Sequence, residues 1–126
     1  MKYAPIRIAV AVTGLILFII AIGAWLSPTA TAAKLGVTST GALGLATLRA
    51  DLGAFFAVSG GLALFAAIRR TPAYLTTPLL LIALALAGRF LALAFTPLDS
   101  TMLPPMVAEA VMVAVFATGR FTRATL

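Results

Sequence analysis

Four ionisable residues stand inside stretches that are otherwise almost wholly apolar: Arg49, Asp51, Arg89 and Glu109. Guanidinium groups and carboxylates in such surroundings admit three kinds of chemistry. One is ion pairing, because a charge near the centre of an apolar helix costs ~2.5–3.5 kcal/mol on insertion scales and so faces the protein interior and pairs. Another is anion capture: Arg49 and Arg89, half-buried, could hold a phosphate or carboxylate through charge and a fork of N–H donors. The third is acid–base catalysis, with Glu109 or Asp51 as the acid or base and an Arg orienting a polar group of the substrate.

The chain contains neither Cys nor His. Disulfides, thiolate sites and Cys nucleophiles are therefore excluded, and without imidazole the chain by itself offers no usual zinc, haem or copper site and no Ser/His pair. Any catalysis would be metal-free and cofactor-free, of a kind that a carboxylate and an Arg suffice for: isomerisation, cyclisation or epoxide opening.

The elements that must position these residues follow from composition. With 126 residues, 63% of them hydrophobic and 10% charged, the chain is at most one domain and has too few polar side chains to cover a water-facing surface. A net charge of +6 would suit nucleic acid, but the nine Lys and Arg residues are scattered between apolar runs and form no continuous basic face. Lipid is the expected solvent.

A helix needs about 20 apolar residues to cross ~30 Å of hydrocarbon. Four segments meet that length, at about 6–26, 41–68, 72–95 and 104–121. The first closes with Trp25 at interface depth and Ser27-Pro28. Its rival, a signal peptide starting from Lys2 and Arg7 with Ala30-Thr31-Ala32 as cleavage site, requires a shorter apolar core of about 7–15 residues. Ser27 to Gly41 is too polar to span and reads as a loop with one surface helical turn. Arg69-Arg70-Thr71-Pro72 closes the second span, the third starts at Pro72 or, with Thr77 as cap, at Pro78, and Pro104-Pro105 fit the first turn of the fourth. The fold expected is an all-α integral membrane four-helix bundle.

Lys2, Arg7, Arg69, Arg70, Arg120 and Arg123 fall on one side of these spans, and Lys34 and Asp99 on the other. Because basic residues flanking spans are retained in the cytoplasm, both termini are expected there. Counting helical rise from the opposite ends puts Arg49, Arg89 and Glu109 in one layer roughly 6–9 Å below the external boundary, with Asp51 about 3 Å deeper. Positions two apart on a helix do not face one another, so Arg49 and Asp51 should not pair. The expected pairs are Arg49 with Glu109 and Asp51 with Arg89, or the swapped arrangement. Ala50, Ala54, Ala57 and Gly61, and Gly88 beside Arg89, are candidates for close helix packing. Phe55, Phe56, Phe90 and Phe95 read as packing or lipid-facing residues.

The stretch LRADLGAFFAVSGG, Leu48 to Gly61, resembles the signature of a family of small bacterial four-helix membrane proteins, the domain of unknown function 4345. Arg49-Ala50 and Gly53 match its second helix, Arg89 and Glu109 its later ones, while Ala54 stands where a second Gly is common. The resemblance implies four helices and a bacterial cytoplasmic (inner) membrane, and it implies no chemistry.

The leading functional expectation is a lipid- or amphiphile-binding protein, or an accessory subunit of a larger membrane complex or homo-oligomer, in which Arg49, Asp51, Arg89 and Glu109 form an ion-pair or ligand-binding network. A metal-free enzyme acting on an isoprenoid, sterol or epoxide through Glu109 or Asp51 is the alternative. A small transporter comes third, since the first span carries no carboxylate between Ile8 and Leu26.

Overall fold

A computed structural model describes residues 3–122. These form five α-helices: α1 (Ala4–Leu26), α2 (Pro28–Lys34), α3 (Gly41–Arg69), α4 (Thr76–Ala92) and α5 (Leu103–Phe121). Single 3₁₀ turns at Pro72–Leu75 and Ser100–Met102 lead directly into α4 and α5. No strand occurs among the described residues. The four long segments, Ala4–Leu26, Gly41–Arg69, Pro72–Ala92 and Ser100–Phe121, are long and apolar enough to cross a membrane. They match the four expected spans, with one difference at a boundary. Regular helix ends at Ala92, and the amides of Leu93, Ala94 and Phe95 bond carbonyls three residues back, a tightening that precedes Pro97.

The polar Ser27–Gly41 connection is more structured than one surface turn. Pro28 opens α2 at the position where a missing amide hydrogen costs nothing, and Pro28 and Ala32 are buried. Gly36, at φ 72°, ends α2 by letting the Val37 amide reach back to the Ala32 carbonyl at 2.9 Å.

The tightest contact in the fold is between α1 and α3, which run antiparallel. A methyl group on Gly60 would stand 2.5 Å from the Phe18 nitrogen and 2.6 Å from the Gly14 oxygen. One on Gly14 would stand 2.9 Å from the Leu64 nitrogen. The two backbones therefore touch, which only paired glycines permit. Each helix also caps the other: Arg7 Nε donates to the Ala67 carbonyl at 2.8 Å, and Arg49 Nε to the Trp25 carbonyl at 2.9 Å. Both carbonyls lie at helix C-terminal ends, where they lack an intrahelical donor and where a cation is favoured by the helix dipole.

This seam differs from the expected one. Ala50 and Ala54 are exposed, the nearest atom to a methyl on Gly61 would be 3.8 Å away, and Gly88 has nothing within 4 Å. One residue is a 100° turn of helix, so placing the contact on Gly60 instead of Gly61 swings that set of small residues off the interface.

Around this pair α4 packs on α3 and α5, and α5 returns to α1, closing a ring of four. The core gathers toward one end, where Val10, Ala63, Ala66, Ala67, Leu75 and Phe116 are buried together with Leu17 and Ile82. Basic residues collect at that same end. Arg7 sits against Ala67, Arg120 Nε donates to Thr76 Oγ1 at 2.8 Å, and Arg69 ends α3 with Arg70 as its C-cap. Lys34 and Asp99 lie at the other end, while Lys2 and Arg123 fall outside the described residues. Outward faces are apolar, with Ile8, Leu84, Leu91 and Val107 largely exposed.

Gly60→Ala should lower stability by roughly 1–3 kcal/mol, the usual cost of overpacking, whereas Gly61→Ala should be near neutral. Thermal unfolding of the two purified variants in the same detergent checks this, and equal behaviour would contradict the glycine seam.

Candidate functional site

The α4–α5 hairpin brings Arg89 and Glu109 together because the two residues stand equidistant from Asp99 in the connecting turn, and antiparallel helices set such positions side by side. The turn is fixed locally. Asp99 Oδ1 accepts from the Thr101 amide at 2.8 Å and from Thr101 Oγ1 at 2.6 Å, and the Asp99 amide points at Met102 Sδ. These hydrogen bonds, the hydroxyl's first and the amide's second, hold the Asp99 carboxyl below its ordinary range.

Arg89 Nε donates to both oxygens of Glu109, at 2.9 and 2.8 Å. Their side chains are 34% and 14% exposed, respectively, so the carboxylate is the more deeply placed partner. No other bond to Arg89 occurs among the described residues, which leaves its terminal amino groups available.

The other two intrahelical charges are elsewhere. Arg49 is exposed and spends its Nε–H on the Trp25 carbonyl, while the indole of Trp25 lies against Gly53, where any side chain would collide with it. Asp51 is exposed and makes no ion pair or hydrogen bond among the described residues. The expected pairs of Arg49 with Glu109 and Asp51 with Arg89 therefore do not form; of the swapped arrangement the Arg89–Glu109 half does, so the four charges make one ion pair among themselves instead of a network. Arg49 sits beside the end of α1, whereas Arg89 and Glu109 border a chamber whose lining includes Leu17 and Ile20. Of the two candidate acid–base groups, Glu109 lines this chamber and Asp51 does not.

The chamber, about 360 Å³, occupies the half of the bundle away from the basic end. All four long helices line it: Leu17 and Ile20 from α1, Phe55 and Phe56 from α3, Ile82 and Ala85 from α4, and Ala108 and Met112 from α5. Phe55 and Phe56 meet edge-to-face at 5.1 Å. Phe90 and Phe95 are exposed and take no part. A second hollow of about 640 Å³ lies outside the first, bordered by Lys34, Gly36, Thr101 and Met102. Leu35, Arg89 and Pro105 belong to both walls, so Arg89 stands at the junction of an apolar chamber and a polar vestibule.

Lys34 is the residue that sequence reasoning left out of the site. Its signal was available: it is the one Lys or Arg in a connection between spans at the end opposite the basic cluster. Among the described residues no three His, Cys, Asp or Glu side chains come together as a metal site. No protein-family model, curated protein or solved structure matches the chain. The site is accordingly read on its geometry.

Arg89→Ala strands a mostly buried carboxylate and should cost about 1–3 kcal/mol, more than Glu109→Ala, whose remaining guanidinium reaches the vestibule. Asp51→Asn should stay within about 0.5 kcal/mol. A double-mutant cycle on unfolding free energies in micelles measures the coupling. Additive single mutants at 89 and 109 would rule out an energetically meaningful pair.

Proposed function

We propose that the chain is a multi-pass membrane protein that binds a lipophilic molecule in the chamber between its four long helices. The observation that carries this reading is the chamber itself: an apolar hollow lined by every long helix, with a charged pair at one end. Ligand sites are typically concave, mostly apolar and equipped with a few convergent polar groups, and this one has that composition. Four helices of spanning length support the membrane assignment. The basic end supports a cytoplasmic location for both termini, since Lys and Arg flanking spans are held on that side. By the resemblance at Leu48–Gly61, the membrane would be the bacterial cytoplasmic one.

In this reading the Arg89–Glu109 pair serves two ends. It neutralises two charges that would each be costly alone inside an apolar bundle, and it leaves the outer edge of the guanidinium facing the vestibule. The two-arginine version of the site does not survive the geometry, because Arg49 is engaged at the end of α1.

Extraction from native membranes followed by mass spectrometry of the intact protein should show a retained amphiphile. Ala85→Phe, which fills the chamber, should abolish that retention, while Leu84→Phe, on the exposed side of α4, should leave it unchanged. A wild-type protein recovered without any amphiphile, but with a stable partner subunit, would replace ligand binding with an accessory structural role. A reporter fused after Leu126 should be accessible only from the cytoplasm, and external accessibility would overturn the orientation.

A further inference from the structure

We infer that the ligand is an amphiphile with one apolar chain and an anionic head, a carboxylate or a phosphate, whose charge is held in the vestibule between Lys34 and Arg89. The inference rests on the amphiphile reading and adds the class of ligand to it.

Charge selects the head. Lys34 and Arg89 are the charged side chains that border the vestibule, and both are positive. Lys34 makes no hydrogen bond or ion pair among the described residues, and Arg89 commits only its Nε edge to Glu109. Glu109 lines the inner chamber and not the vestibule, and it lies behind Arg89 as seen from the mouth. The nearest further acid is Asp99, through Thr101, and its carboxylate is turned onto the Thr101 amide and hydroxyl. A cationic head would therefore meet the uncompensated ammonium of Lys34 and the outer N–H edge of Arg89, with no carboxylate bordering the vestibule to receive it. An anionic head would complete a fork: terminal guanidinium nitrogens on one side and a flexible ammonium on the other, the donor set that suits carboxylate and phosphate oxygens.

Volume selects the tail. An apolar cavity of about 150 Å³ accommodates a benzene ring, and the chamber, at about 360 Å³, is somewhat more than twice that. Such a space suits one short chain or the first part of a longer one, and it leaves no room for two acyl chains side by side. The two hollows adjoin at the wall formed by Leu35, Arg89 and Pro105, so a molecule passing beside Arg89 would place its head outside and its tail inside.

The test uses the full chain in nanodiscs of zwitterionic phosphatidylcholine and four photoreactive probes with a diazirine at the chain end. These are a dodecanoate, a dodecyl phosphate, dodecanol, and a two-chain dilauroyl phosphatidic acid. Cross-linked sites are mapped by peptide mass spectrometry against Phe55, Phe56 and Met112. The carboxylate or the phosphate probe, or both, should label the chamber, and the stronger of the two identifies the head group. Lys34→Gln should weaken that labelling about two- to fivefold, the range for a partly exposed charge contact, without changing dodecanol labelling. Dodecanol labelling equal to that of the anions, or unaltered anion labelling in Lys34→Gln, would overturn the anionic head while leaving chamber binding intact. Preferential labelling by phosphatidic acid would overturn the single chain. Absence of labelling at all three residues by every probe would overturn the amphiphile reading itself.

Discussion

The backbone contact between Gly14 and Gly60 is the constraint on which the rest of the bundle depends. It joins α1 and α3 into one slab, with Arg7 and Arg49 closing the two ends by donating to orphan carbonyls of the partner helix. Van der Waals contact between close backbones is the chief means by which helices associate in lipid, where apolar burial gives little preference for one neighbour over another. Once that slab is set, the faces of α3 are decided. Ala63, Ala66 and Ala67 turn inward at the basic end, and Phe55 and Phe56 turn toward the space that α4 and α5 must cover.

The second slab, α4 with α5, is organised differently. Its helices are joined by a short, hydrogen-bonded turn at Asp99–Met102 and by the Arg89–Glu109 pair. Large side chains close the junction of the two slabs toward the basic end, where Phe116 and Leu75 meet Val10 and the α3 alanines. At the other end α4 and α5 contribute, beside Ile82 and Met112, the small Ala85 and Ala108 and the charged pair, and the space is left partly unfilled. The chamber is thus a consequence of where the bulk lies along the helices. It opens beside the Arg89–Glu109 pair because the pair takes the place of apolar side chains that would have packed there.

The four long helices were legible because spanning length is a constraint on the sequence itself: some twenty apolar residues between Trp25-Ser27-Pro28, Arg69-Arg70 and Pro97 leave little choice of boundary. The partners of the charges were not. Helix rotation decides which residues meet, and it was set by Gly14 and Gly60, whose signal in an Ala- and Gly-rich sequence is no stronger than that of Gly61 beside them. Arg49 was sought a carboxylate and found a backbone carbonyl at the end of another helix, an acceptor that no inventory of charges contains. Lys34 escaped notice because its segment looked like a loop. The burial of Pro28 and Ala32 holds α2 against the bundle and brings Lys34 to the vestibule, and it depends on contacts with α1 and α3 that local composition does not encode.

Asp51 needs a physical account, since a lone carboxylate facing lipid would be costly. The length of α3 supplies one under the membrane reading. Its 29 residues extend for ~43 Å at helical rise, well beyond ~30 Å of hydrocarbon. Its basic end is pinned beside Arg7, so the surplus must emerge at the other end, past Trp25, a residue type that favours the interface. Arg49 and Gly53 both contact Trp25, and Asp51 lies between them in sequence, so it stands at the interface within reach of water. Arg89 and Glu109 instead line an apolar chamber and are paired with each other. Surroundings therefore sort the four charges: the exposed Arg49 and Asp51 are left to a helix end and to water, and the two that border an apolar space are paired.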